Sequence, residues 1–382
     1  QAGESAQAVV PTDRALQLSD TLTKGSLKDR LQSCATHSFY PTDFSIAHRG
    51  APLGYPEHSR EGYIAAAEQG AGVIECDVTF TKDLELVCRH SQCDLATTTN
   101  ILQTSLASKC SAPFRPAIGG QPASATCCTS DISLAEFKTL CARPDRSNKQ
   151  AKNVEEYLAP LRSPVVSEPL ACGTLMTHAQ SIELINALDR KFTPELKRPM
   201  VDMPFAPGFT QAAYADKLLA EYRAAGIDPT RVFPQSFNPE DIWHWIEGHP
   251  DFADQALWLD ARGRIPGFQP SEAEFQALRA RGLNIIAPPM PMLLTLNDAG
   301  EIVPSMYASL AKSAGLEMIT WTFESGDPTD ANNWLYAPIS SAMTGEGQML
   351  QALHVLANDV GVRGVFSDWP GTVTYYANCL AQ

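Results

Sequence analysis

Between Phe44 and Asn100 the chain gathers most of the side chains able to do acid–base or metal chemistry. Ile46-Ala-His48-Arg49-Gly50 comes first, then Val73-Ile74-Glu75-Cys76-Asp77-Val78, then Glu85-Leu-Val-Cys-Arg-His90. The middle run reads as a strand, with apolar β-branched residues beside the acids and Gly70 and Gly72 at its start. On a strand, residues i and i+2 share a face, so Glu75 and Asp77 point one way and Cys76 the other. Two neighbouring carboxylates repel, and burying them unpaired is costly. A bound cation resolves that conflict, and oxygen ligands suit a hard ion, calcium or magnesium, over zinc. The alternative is an exposed strand with its charges in water.

The polar turn Thr81-Lys82-Asp83-Leu84 is too short for a parallel crossover, so the next run folds back as an antiparallel hairpin. With Lys82 and Asp83 at the tip, Glu75 is expected opposite His90, with Cβ atoms about 5 Å apart. An imidazole is thereby carried to the edge of the acid pair.

His48-Arg49-Gly50, Pro56-Glu57, Glu75-Cys-Asp77-Val78, Thr81-Lys82-Asp83 and His90 together resemble the glycerophosphodiester phosphodiesterases, whose segments run HRG, PEN, E-x-D-V, TKDG and HD in that order. His58 stands where the family has Asn, Leu84 where it has the turn Gly, and Ser91 where it has Asp. Gln235-Ser236-Phe237, Trp321-Thr322-Phe323 and Ser367-Asp368-Trp369-Pro370 are similar to its later QSF, WTV and TDYP segments. The resemblance spans about 44 to 371, outside a Cys-rich insertion. It implies Glu75, Asp77 and Glu195 as ligands of one divalent cation, Ca²⁺ or Mg²⁺. Arg49 and Lys197 become positive charges for a phosphate, and His48 and His90 the general acid and base. Phe237 and Trp321 become walls for the glycerol or headgroup, and Glu57 a candidate to orient Arg49 or join the metal.

The elements that position these residues follow an α/β alternation. Strands are predicted at 44–47, 73–78, 191–197, 232–237, 256–259, 283–287, 317–323 and 364–367, and helices at 60–69, 177–188, 211–225, 239–248, 272–281, 304–314 and 347–358. Eight strands alternating with helices predict a (β/α)₈ TIM barrel, with the His90 arm as an extra β-hairpin. Chemistry in such barrels sits at the C-terminal ends of the strands, which ties His48, Glu75, Asp77 and Glu195 together. Residues 1–42 read as a polar, irregular arm packed on a barrel of 43–382, with one short helix near Leu27–Cys34. The excursion 91–171 reads as a Cys-rich insertion containing a helix from Ser133 to about Ala142.

Composition narrows the function. A net charge of −14 argues against nucleic acid as partner and against loose adsorption to anionic lipid. No apolar run approaches the roughly 18 residues of a membrane span. The ten cysteines lack paired C-x-x-C spacing, and several crowd the segment 91–130, which favours disulfides and an oxidising compartment. Cys76 reads as a buried free thiol, and Cys34 with Cys379 as a staple between the two ends. Gln1-Ala-Gly-Glu-Ser has no signal-peptide character, and no Asn-x-Ser/Thr acceptor occurs, so a mature secreted or periplasmic chain is expected.

The functional expectation is metal-dependent hydrolysis of a small phosphodiester such as glycerophosphocholine, without stable membrane insertion. The alternatives are phospholipase cleavage or cyclisation of lysophospholipids on the same site, and a silent barrel that binds a phosphorylated ligand. His37, His178, His244, His249 and His354 are set aside as lacking an acidic partner at useful spacing.

Overall fold

The computed structural model describes residues 7–159, 162–168 and 170–380. The chain's first five residues, on which the signal-peptide reading rests, lie outside them. Strand and helix alternate eight times along the chain, the (β/α)₈ order of the α/β class, and two compact units share that order.

The first unit comprises 1–48, 66–73 and 235–382. Its strands Gln235–Ser236, Leu257–Leu259, Ile285–Ala287, Glu317–Phe323, Gly364–Ser367 and Thr42–Ala47 pair in that order, all parallel. Their C-terminal ends therefore share one edge, where His48, Phe237, Trp321 and Asp368 stand. Ala71–Ile74 extends the run, and Gly72 is required there, since a Cβ would lie 2.5 Å from the Thr42 carbonyl oxygen. Residues 7–42 are more regular than expected, with helices Arg14–Ser19 and Ser26–Ser33 burying Leu18, Leu27 and Leu31. The arm docks where only glycine fits, because a Cβ on Gly347 would meet the Leu18 carbonyl oxygen. Cys34 and Cys379 are bonded, as expected.

The second unit comprises 49–65 and 74–234. Asp77–Phe80 pairs parallel with Glu195–Leu196 and antiparallel with Leu86–Cys88. Three expectations change here. The run 73–78 is two strands, Ala71–Ile74 and Asp77–Phe80, broken at Glu75-Cys76. The run 191–197 is likewise split into Lys191–Phe192 and Glu195–Leu196 around Pro194, which has no N–H for a ladder. The hairpin pairs Val78 with Cys88 and Thr79 with Val87, one residue away from the expected register. Its loop has three residues, Lys82-Asp83-Leu84, closed by a Thr81 N–H bond to the Glu85 carbonyl. Leu84 takes the left-handed conformation (φ 65°) that such loops usually give to glycine. Glu75 is thus not opposite His90; instead the Arg89 N–H donates to the Asp77 carbonyl at 2.8 Å.

The insertion is stapled by Cys93–Cys128, Cys110–Cys127 and Cys141–Cys172. Its core of Leu95, Ile101, Ile132, Phe137 and Leu140 packs on Val87 of the hairpin. The Ser133–Glu136 capping box is present, but its helix spans only Leu134–Phe137, because Cys141–Ala142 is drawn into a strand pair with Gly173–Thr174. Among the described residues no cysteine is free: Cys76 is bonded to Cys88, which corrects its reading as a thiol. The shifted register sets the two cysteines diagonally across the hairpin, Cα atoms 5.2 Å apart.

Candidate active site

In the second unit Glu75, Asp77 and Glu195 converge although Glu195 is more than a hundred residues away in sequence. One carboxylate oxygen from each lies within 4.8 Å of the others, and all three side chains are buried. Parallel pairing places Glu195 beside Asp77, and the Glu195 N–H donates to the Cys76 carbonyl at 3.0 Å. The Asp77 Oδ1 atom is buried without a hydrogen-bond partner, although polar atoms inside proteins are nearly always paired. A buried acceptor with no donor, within a trio of acids, fits a divalent cation of the oxygen-loving kind.

The surrounding charges are arranged about this trio. The Arg49 N–H donates to Glu75 Oε1 at 3.1 Å, from a backbone held at φ 59°. The Arg49 guanidinium bonds Glu57 Oε2 at 3.0 Å, so Glu57 orients Arg49 and is not among the converging acids. Burial alone would raise the Glu57 carboxyl, yet the Arg49 guanidinium beside it holds it down at about 2. Lys197 Nζ lies 2.8 Å from Glu195 Oε2. Burial, together with the neighbouring Asp77 charge, pushes Glu195 up to about 7 despite that lysine.

His58, in the family's Asn position, is fully buried between Asp77 and Tyr63. Its Nε2 lies 2.9 Å from Asp77 Oδ2 and its Nδ1 2.7 Å from the Tyr63 hydroxyl. A carboxylate only accepts, so Nε2 carries the proton and Nδ1 accepts from the tyrosine. Burial lowers the His58 pKa, so the ring is a neutral donor, and this bond together with Lys197 keeps the Asp77 carboxyl well below its ordinary range. His90 closes the hairpin, its pKa pushed down to about 3 by burial and then by the cations of Arg49 and Lys197.

In the first unit, His48 Nδ1 lies 2.6 Å from Asp368 Oδ1, and the Asp368 N–H donates to the Phe323 carbonyl at 3.0 Å. This carboxylate partner of His48 was missed in the sequence, where only the TDYP-like segment pointed to Asp368. Phe237 stands edge-to-face with Trp321 (5.8 Å), and Trp321 with Trp334 (5.9 Å), so Trp334 joins the two expected aromatics. The Trp321 indole is fixed by donating to the Ala287 carbonyl at 2.8 Å.

Of the histidines set aside, His178 does have an acidic partner. Its Nδ1 lies 2.8 Å from Glu221 and its Nε2 3.1 Å from the Tyr222 hydroxyl. With both ring nitrogens satisfied at the base of the helix His178–Ala187, it serves as a buried strut between helices.

The chain is 39% identical over 244 residues to an "Extracellular protein" of Arthroderma benhamiae, a match covering 62% of this chain and 99% of the relative. A crystal structure from Silicibacter pomeroyi, named for glycerophosphoryl diester phosphodiesterase, covers 92% of this chain and 98% of its own at a TM-score of 0.60 and 18% identity. An Oleispira antarctica phosphodiesterase, solved with the product sn-glycerol-3-phosphate, covers 87% of this chain and 96% of its own (TM-score 0.51, 18% identity). These structural likenesses bear out the (β/α)₈ barrel expected from the sequence. The model of the Glycerophosphoryl diester phosphodiesterase family matches residues 48–372, and the chain belongs to that family.

Proposed function

We propose that the chain is a secreted, divalent-cation-dependent phosphodiesterase that hydrolyses glycerophosphodiesters to glycerol 3-phosphate and an alcohol. The observation that carries this reading is the convergence of Glu75, Asp77 and Glu195 around an unpartnered buried oxygen. Five disulfides, an extracellular relative and the absence, among the described residues, of any helix long and apolar enough to cross a membrane support secretion.

Glu75, Asp77 and Glu195 would hold Ca²⁺ or Mg²⁺, which when bound draws negative charge from a non-bridging phosphate oxygen. Arg49, braced by Glu57, grips phosphate oxygens through its planar fork, and Lys197 adds a point charge beside them. His48 and His90 supply the acid and the base. One imidazole takes the proton of the nucleophile, a water or the neighbouring glycerol hydroxyl, as its oxygen bonds phosphorus, and the other protonates the alcohol oxygen as its bond to phosphorus breaks; where the glycerol hydroxyl attacks, a water then opens the cyclic phosphate to glycerol 3-phosphate. Asp368 fixes the His48 ring with Nδ1 facing the carboxylate, leaving Nε2 for proton transfer. Phe237 and Trp321 form the wall against which the glycerol or headgroup rests. Residues 43–382 act as one catalytic domain and residues 1–42 as its packed arm.

A second reading, cleavage or cyclisation of lysophospholipids on the same site, is favoured by one observation. Phe237 and Trp334 are exposed (42% and 39%) on the edge that carries His48. One experiment addresses both. Glycerophosphocholine and lysophosphatidylcholine are offered to chelated protein resupplied with calcium or magnesium, and the released alcohol and phosphate products are measured. Glycerol 3-phosphate from the first substrate, lost on chelation and restored by either ion, is the expected result. Turnover of the lysolipid alone supports the second reading, and turnover indifferent to chelation refutes the cation.

A further inference from the structure

We infer that the Cys76–Cys88 disulfide is a positioning element of the acid cluster, holding Glu75, Asp77 and Glu195 together against their own repulsion. The inference rests on reading that cluster as a cation site. Cys76 touches every part of it through the backbone. Its peptide bonds join it to Glu75 on one side and Asp77 on the other, and its carbonyl accepts the Glu195 N–H at 3.0 Å.

On one side this stretch is laddered, the N–H groups of Thr193, Glu195 and Lys197 donating to the Ile74, Cys76 and Val78 carbonyls at 3.0–3.1 Å; on the hairpin side the ladder stops short of it. The strand Ala71–Ile74 ends just before Glu75, and the next begins at Asp77. The hairpin ladder reaches Val78–Cys88 and continues only as the bond from the Arg89 N–H to the Asp77 carbonyl. Glu75 and Cys76 thus lie beyond the last ladder pair of the hairpin, where three buried carboxylates push apart whenever no cation is bound. The disulfide ties this stretch to the second arm of the hairpin. Cys88 is itself anchored, its N–H donating to the Met176 carbonyl at 3.0 Å, and it stands two residues before His90. Both cysteines are buried, at 2% and 0% exposure. Each of the other four bridges joins a terminal segment or a part of the insertion, and none flanks a cluster acid. The hairpin has other support, since Phe80 packs against Phe205, Phe209 and Tyr214 at 5.0–5.2 Å, so loss of the bridge is expected to loosen the site rather than unfold the unit.

The test is calcium binding by titration calorimetry, repeated with magnesium, on the full chain and on C76A/C88A, with C110A/C127A as control. The bridge-less hairpin is expected to bind calcium at least about tenfold more weakly while the control stays within about twofold. Calcium binding by a folded C76A/C88A within twofold of the parent overturns the inference and leaves the cation reading standing; a parent that binds neither ion overturns both. Should C76A/C88A not fold, C76V/C88V fills the buried space in its place, and the parent protein gives an independent measurement. Dithiothreitol reduces the bridge to two thiols and is itself oxidised to its cyclic disulfide. Because linkage is reciprocal at equilibrium, calcium is expected to shift the dithiothreitol equilibrium of Cys76–Cys88 toward the disulfide, read by alkylation and peptide mass over a series of reduced-to-oxidised dithiothreitol ratios, and to leave that of Cys141–Cys172 unchanged. An equal shift of both, or of neither, overturns the inference.

Discussion

Replacing Asp368 by Asn tests the site with the least ambiguity, because it alters one hydrogen bond to the proposed acid–base group His48 and preserves shape. His48 Nδ1 and Asp368 Oδ1 are 2.6 Å apart, and both side chains are about one-sixth exposed (18% and 17%). A charge-assisted bond of this kind contributes about 1.5–3 kcal/mol. At about 1.4 kcal/mol per factor of ten, losing it should lower kcat roughly 10- to 150-fold. The loss grows toward about 10⁴-fold if the Asn amide donates to Nδ1 and so selects the other tautomer, as happens when the equivalent Asp of a Ser-His-Asp triad is replaced. The backbone bond from residue 368 to Phe323 survives the change, so melting should move little. The assay is initial-rate release of glycerol 3-phosphate from glycerophosphocholine at saturating cation, with KM determined alongside. A kcat within about threefold of the parent, or a loss carried wholly by KM, would refute the claim that Asp368 sets the His48 ring for proton transfer.

Three further outcomes concern stability. His58→Phe leaves Asp77 Oδ2 and the Tyr63 hydroxyl without their shared partner and should cost about 1–3 kcal/mol for each group in urea titrations under chelator; no change would mean that water replaces the ring. Removing Cys34–Cys379 should cost about 2–5 kcal/mol in denaturant, and a loss below about 0.5 kcal/mol would show the ends held by packing alone. Arg14→Ala strands the buried Glu324 carboxylate, which Arg14 Nε bonds at 2.5 Å, and should cost about 3–5 kcal/mol at pH 7. Burial raises the Glu324 pKa. Its charged form is therefore disfavoured at high pH, and the cost vanishes where folded and unfolded chains are both protonated, below the ordinary value near 4.5. The deficit of the Arg14 variant should shrink as pH falls from 7 to 4, and a pH-independent deficit would assign it to lost packing.

The barrel order was legible because its signals are local. Thr177 and Gln180 make the capping box that starts the helix His178–Ala187, and apolar runs such as Ile285–Ala287 and Gly364–Ser367 begin after turn residues. What stayed hidden depends on contacts or on one unusual backbone angle. The hairpin register turned on Leu84 adopting φ 65°, which a leucine does not advertise. That single residue moved the pairing by one place and brought Cys88 beside Cys76, so the missed disulfide and the missed register are one error. The helix expected from Ser133 to Ala142 was curtailed because a distant strand, Gly173–Thr174, competes for Cys141–Ala142.

The site divides in the same way. Glu75 and Asp77 were found together from their i, i+2 spacing; the strand is interrupted between them, but the Thr193, Glu195 and Lys197 N–H groups bond the Ile74, Cys76 and Val78 carbonyls, so the i, i+2 relation holds and further contacts fix each acid. Asp77 is fixed by pairing with Glu195 and by His58, whereas Glu75 is held by the Arg49 N–H. Each acid is thus gripped from a separate part of the chain, which is what a cluster of like charges demands if it is to persist. Asp368 escaped notice for a related reason, since it lies 320 residues from His48 and only parallel pairing of Thr42–Ala47 with Gly364–Ser367 brings them together. Motif spacing reports residues that act within one hairpin. Partners that restrain those residues come from wherever the strand order delivers them, so an analogous search in other chains should begin at the C-terminal end of each neighbouring strand.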